Sequence, residues 1–84
     1  MRPGETLLEM ARRHVREGAA HVTRQREIYR DLDAAESPMA SEAFALLRQF
    51  EASQREHQRH LAQIEDEQLA GLRDPGGELL PRLP

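Results

Sequence analysis

Helix breakers are confined almost wholly to the two ends of this chain. Between about residue 6 and residue 70 the interruptions are Gly18 and Pro38 alone; Pro3 and Gly4 precede that stretch, and Gly71, Pro75, Gly76, Gly77, Pro81 and Pro84 follow it. The uninterrupted middle is rich in Ala, Glu, Arg, Gln and Leu, which are strong helix formers, and poor in the β-branched residues that strands favour. An all-α domain follows. With 84 residues there is room for one domain.

The first helix begins at a capping box. In Thr6-Leu7-Leu8-Glu9 the Thr6 hydroxyl is placed to accept from the Glu9 amide, while the Glu9 carboxylate reaches back to the Thr6 amide. From there Leu8, Ala11, Val15, Gly18, Val22, Tyr29 and Leu32 recur in steps of three and four, with Gln25 in the one polar place. The pattern fades at Asp33-Ala34-Ala35-Glu36. Ser37-Pro38 marks a second start, because Pro suits the first helical position and Ser is a favoured N-cap. The second stripe runs Ala43, Leu46, Leu47, Phe50, His57, Leu61 and Ile64, with Leu69 and Leu72 as its extension, to Gly71 or the Asp74-Pro75-Gly76-Gly77 run. The reading is therefore a leader over 1–5, a helical hairpin over 6–73 (helix about 6–35, turn about 36–37, helix about 38–71) and a flexible tail over 74–84. Two helices of similar length and a short connection predict an antiparallel pair.

A lone hairpin has one seam and no third layer. Small single cores supply only about 3–5 kcal/mol, and here the seam includes Gly18, Gln25 and His57. Leu7, Ile28, Phe44 and the Leu46/Leu47 pair widen the apolar face beyond what two helices need. The expectation is a homodimer in which two hairpins form a four-helix bundle, assembled through Leu8, Val15, Val22, Tyr29, Leu32, Leu46, Leu47, Phe50, Leu61 and Ile64. Charge agrees with antiparallel pairing: residues 1–30 carry seven Arg and four acids, a net +3, and residues 31–84 carry five Arg and eleven acids, a net −6.

Composition bounds the function. There is no Cys, so no disulfide framework and no thiolate metal site. No apolar run has the length of a bilayer span and the first residues lack a signal-peptide core, so a cytoplasmic protein with no membrane partner is expected. Ser37, Ser41 and Ser53 lack a nucleophile context, Glu65-Asp66-Glu67 reads as a solvated charge run, and no Gly-rich phosphate loop exists; the chain is not expected to be an enzyme and no cofactor is assigned. Arg12, Arg13, Arg16, Arg24, Arg26 and Arg30 make the first helix basic. Glu9, Glu17 and Glu27 interleave with them and no aromatic is free for base stacking, so pairs such as Glu9–Arg13 are favoured over a nucleic-acid partner.

The four histidines are the sharpest feature. Folding about residues 37–38 sets Val15 opposite His60 and Gly18 opposite His57, which gathers His14, His21, His57 and His60 near the middle of the hairpin. His57 and His60 share one helical face, but His14 and His21 lie about 10.5 Å apart along the axis, so at best three ligands converge on one ion. Neither Glu-x-x-His nor His-Glu-x-x-His occurs. No metal site is assigned; were an ion to bind, these four would be the candidates. A buried, hydrogen-bonded His57 packed against Gly18 is the simpler reading, and a pH-responsive or metal-binding bundle is the alternative function.

Two stretches resemble a family of short uncharacterised bacterial proteins. They are His14-Val15-Arg16-Glu17-Gly18 with Val22, Arg24-Gln25, Ile28 and Leu32, and Leu46-Leu47, Phe50-Glu51, Ser53, His57, His60-Leu61 and Ile64, which together cover about residues 8–66. The resemblance implies a helical hairpin without assigned catalytic residues. The chain departs from it at the turn, where Glu36-Ser37-Pro38-Met39 stands in place of a connection with Gly and Thr. The function expected is a small structural or protein-interaction module that self-associates, with an unidentified protein as a further possible partner.

Overall fold

A computed structural model describes residues 2–81. Two helices, α1 (Leu7–Ala34) and α2 (Ala40–Leu69), pack against each other as an antiparallel hairpin, and among the described residues the only β pairing is an isolated bridge between Arg73 and Leu79. The molecule is a rod of 63 × 23 × 16 Å. No helix among the described residues is long and apolar enough to cross a membrane.

The capping box forms as its spacing predicts. Glu9 N donates to Thr6 Oγ1 at 3.1 Å and Thr6 N donates to Glu9 Oε1 at 3.2 Å, so two amides at the start of α1 are satisfied reciprocally. Both helices end in the same motif. Ser37 N donates to Leu32 O and Glu36 N to Asp33 O after α1, and Leu72 N donates to Glu67 O and Gly71 N to Gln68 O after α2. The residue at the left-handed position is Gly71 (φ 77°) in one case and Glu36 (φ 52°) in the other. A left-handed L-residue costs about 1–2 kcal/mol, part of which glycine returns as unfolded-chain entropy. Glu36→Gly is therefore expected to stabilise the hairpin by about 0.5–1 kcal/mol, read as a higher urea midpoint at unchanged slope. A lower midpoint would show that the Glu36 side chain holds the turn in another way.

Helix α2 starts later than the sequence predicts. Pro38 and Met39 form a turn, with Ala40 N donating to Ser37 O at 3.1 Å, and the regular helix begins at Ala40. Ser37 still caps this entry, since its hydroxyl accepts from Met39 N at 3.1 Å. The register also differs. The Val15 carbonyl, expected near His60, receives a hydrogen bond from Gln54, about one turn and a half nearer the connection, while Gly18 lies beside both Gln54 and the expected His57.

The largest difference concerns the segment after α2. It does not trail away but folds back over the open end of the hairpin; Arg82, Leu83 and Pro84, the rest of the expected tail, lie outside the described residues. Asp74-Pro75-Gly76-Gly77 makes a tight turn closed by Gly77 N to Asp74 O (3.0 Å) and Asp74 N to Glu78 O (2.9 Å). The Asp74 carboxylate accepts from both Gly76 N and Glu78 N. Asp at the first place, Pro at the second and a left-handed Gly77 (φ 90°) at the fourth are what a type I turn with a bulge requires. Gln68 and Arg73 hold the root of the turn: Gln68 Nε2 donates to Asp74 O and Pro75 O, and Arg73 bonds both Glu67 and the Gly77 carbonyl.

That turn completes the core. Gly76 O accepts from Leu8 N at 2.9 Å, satisfying an amide in the first turn of α1 that no residue of its own helix can reach. Gly77 is buried, and a Cβ there would stand 3.1 Å from both Ile64 Cγ2 and Leu8 N. Gly77→Ala adds a steric conflict with the backbone to left-handed strain. It is expected to cost about 2 kcal/mol and to abolish slow exchange of the Leu8 amide, whereas Gly71→Ala meets nothing within 4 Å and should carry the strain alone. Persistent protection of Leu8 in Gly77→Ala would contradict this packing.

Candidate functional site

The seam between the helices contains few large side chains. Among the described residues the buried apolar side chains are Leu8, Ala11, Ala43, Leu47 and Ile64, and Ile64 is the largest that is fully enclosed. Leu8, Ala11 and Ile64 form one cluster at the open end, with Leu7 and Leu61 packed against it. Of the residues expected to drive assembly, Leu8, Leu47 and Ile64 are buried, Val15, Val22, Tyr29, Leu32, Phe50 and Leu61 are half-buried, and Leu46 is exposed; Leu69 and Leu72, the expected extension of the second stripe, are exposed as well, because the hairpin's core ends at Ile64.

Two glutamines hold the middle of the seam. Gln25 of α1 donates to the Ala43 carbonyl of α2 at 3.0 Å, and Gln54 of α2 donates to the Val15 carbonyl of α1 at 2.8 Å. Each helix thus inserts one buried amide into the backbone of the other, an arrangement that fixes which residues lie opposite. Gln25 stands where the sequence stripe has its polar gap. Gln54 escapes a search for apolar residues, although it lies four residues after Phe50 and three before His57, on the same helical face. The absence of a side chain at Gly18 admits it: a Cβ on Gly18 would stand 1.8 Å from Gln54 Oε1 and 3.3 Å from His57 Cδ2. His57 therefore flanks this notch and Gln54 fills it. Gln54 Oε1 is buried and meets no hydrogen-bond donor among the described residues.

The histidines do not gather into one cluster. His14 and His57 meet across the helices with ring centroids 5.2 Å apart, His21 stacks on Phe50 at 5.7 Å, and His60 is exposed. Among the described residues no three His, Asp or Glu side chains are placed to hold a metal ion. Burial pulls His14 below the ordinary imidazole range, with help from the nearby Arg13 charge and from His57.

The charged side chains pair differently from the expected Glu9–Arg13 contact, because the Glu9 carboxylate is engaged in the capping box. Arg13 instead bonds Glu5 twice, at 2.9 and 3.0 Å, and Glu17 at 3.3 Å, while Arg2 also reaches Glu17. The Arg13 hydrogen bond holds the Glu5 carboxyl at about 2 instead of 4.5. A depressed carboxyl supports the fold above its unfolded value, so this contribution is present at neutral pH and disappears as pH falls from about 4.5 through about 2. Arg24 lies 3.8 Å from Glu27 and Arg26 lies 3.9 Å from Glu51, so the basic side of α1 is interrupted by carboxylates. Comparison with protein-family models, curated proteins and solved structures finds no match.

Proposed function

We propose that the chain is a non-enzymatic, self-associating helical module whose working form is a homodimer, two hairpins stacked as a four-helix bundle. One observation carries this reading. The chain exposes 6297 Å² of surface, whereas a compact monomer of 9.6 kDa exposes about 5,100 Å². The excess of about 1,200 Å² exceeds the roughly 800 Å² that each partner buries in a standard stable interface. Its location fits, since Val15, Val22, Ile28, Tyr29, Leu32, Phe50 and Leu61 are only half-buried by the hairpin itself.

The interior polar groups support a structural role: Gln25 and Gln54 are both bonded to backbone carbonyls of the opposite helix. A third layer of helices would turn the half-buried rows into a core of the kind that coiled-coil bundles use. Association of this kind couples to folding by mass action, so the thermal midpoint is expected to rise with chain concentration. Melting curves from low to high micromolar chain would test it, and a midpoint independent of concentration would count against the reading.

A further inference from the structure

The two faces of the hairpin differ in charge. On one, the helices are bridged by His14–His57 and His21–Phe50; on the other, by Tyr29–Phe44 and Arg26–Glu51. Seven-residue spacing extends each face along the rod. On the first, α1 contributes Leu7, His14, His21 and Ile28. Helix α2 contributes the outer row Leu46, Ser53, His60 and Glu67 to it, with Phe50 and His57 inside that row. Glu67, paired with Arg73 at the far end, is the one fixed charge in these rows. The outer rows of the second face read Arg12, Ala19, Arg26 and Asp33 on α1, and Phe44, Glu51, Gln58 and Glu65 on α2, five fixed charges in eight places. Fixed charges are depleted at the centres of protein interfaces, so the first face suits burial and the second suits water.

Resting on the self-association proposed above, we infer that the histidine face is the surface on which a second copy of this chain docks, and that protonation of its histidines releases that copy. The occupant follows from two properties of the chain. The unburied excess of area is of the size one partner loses in a stable dimer. The net +3 of residues 1–30 and net −6 of residues 31–84 become complementary when a two-fold axis lays α1 of one copy over α2 of the other. Leu46, exposed in the single hairpin, and Ile28 and Phe50, half-buried there, supply the apolar contact.

The pH response follows from the surroundings of the imidazoles. His14 is faced by Arg13 and Glu17 on α1, Glu5 in the leader and His57 on α2. His57 and His60 share their side of α2 with Glu56 and Arg59. Glu17 and Arg24 flank His21 on α1, and Phe50 lies across from it. Within one hairpin these three acids and three arginines cancel, so its own carboxylates offer no surplus to four imidazolium charges. Two copies would bring eight imidazoles into one desolvated layer, where the charged form is disfavoured. The separated form then binds protons more readily, and association weakens as pH falls below about 6.5.

Light scattering on the full chain at pH 8 and at pH 5.5 tests this, with circular dichroism to confirm that the helices persist. The expected result is a dimer at pH 8 and a dissociation constant at least about fivefold larger at pH 5.5, the change at that pH when association lowers a single imidazole by one pK unit from about 6.5. Leu46→Arg should give a helical monomer at pH 8, while Ala19→Arg on the opposite face should leave the dimer intact. A monomer for the unaltered chain at pH 8 would overturn self-association itself. A dimer that resists Leu46→Arg, or one equally tight at both pH values, would overturn this inference and leave self-association standing.

Discussion

Ile64→Ala is expected to unfold the hairpin over much of its working temperature range. Ile64 has no exposed surface and is enclosed by Leu8, Ala11, Leu61 and the Gly77 turn. Removing three buried carbons leaves a cavity bounded by two helices and a docked turn, and such truncations cost about 2–5 kcal/mol. A single core of this size holds about 3–5 kcal/mol, so the loss is comparable to the whole. Urea denaturation followed by far-UV circular dichroism reads the effect directly. Leu69→Ala serves as the control, because Leu69 is 89% exposed and its loss should move stability by less than about 0.5 kcal/mol. Similar midpoints for the two variants would mean that the open-end cluster is not the core.

The second large effect is a reversal of sign. Alanine is a better helix former than glycine by about 1 kcal/mol, so Gly18→Ala in a free helix would stabilise. Here the new methyl would stand 1.8 Å from Gln54 Oε1 and 2.9 Å from Gln54 Cδ. Gln54 must leave the notch, which breaks its bond to the Val15 carbonyl and opens the seam. A lost hydrogen bond with its packing costs about 1–3 kcal/mol, enough to outweigh the propensity gain. Gly18→Ala is therefore expected to destabilise by about 1 kcal/mol alone and to stabilise by about 1 kcal/mol in a Gln54→Ala background. The coupling of about 2 kcal/mol is the quantity to measure, by denaturation of the four members of the cycle. Equal effects in both backgrounds would show that Gln54 does not fill the Gly18 notch.

Much of the architecture was legible because local chemistry and periodicity agree. Thr6 and Glu9 mark the start of α1, the three-and-four spacing marks the buried stripe, and Ser37 marks the entry to α2. The misreadings share a physical cause, which is that residue type was weighed without partners. Gln54 sits on the seam but is polar, so a stripe drawn through Phe50 and His57 passes over it; its place depends on a carbonyl of the other helix. Asp74-Pro75-Gly76-Gly77 carries the signature of a tight turn with a left-handed fourth residue, yet read as a helix stop it suggests a loose tail. What docks it is the unsatisfied Leu8 amide at the far end of the sequence, a long-range contact that no local pattern encodes. Glu36 breaks the usual preference for glycine after a helix, so the chain hides a motif that Gly71 displays. For the candidate site, the histidines could be placed near mid-rod by counting, but the division into a His14–His57 pair, a His21–Phe50 stack and a solvent-facing His60 depends on a register set by Gln54 and Gly18.

These features describe a hairpin that closes its own end and leaves its sides half-covered. The docked turn protects Leu8, Ala11 and Ile64, but among the described residues no comparable layer shields Ile28, Phe44, Leu46 or Phe50 along the rod. Sedimentation equilibrium of the full chain at neutral to mildly basic pH and micromolar concentration tests the proposed self-association most directly. The account predicts a mass of twice 9.6 kDa that falls toward 9.6 kDa on dilution; a stably helical species of 9.6 kDa at every concentration would contradict it.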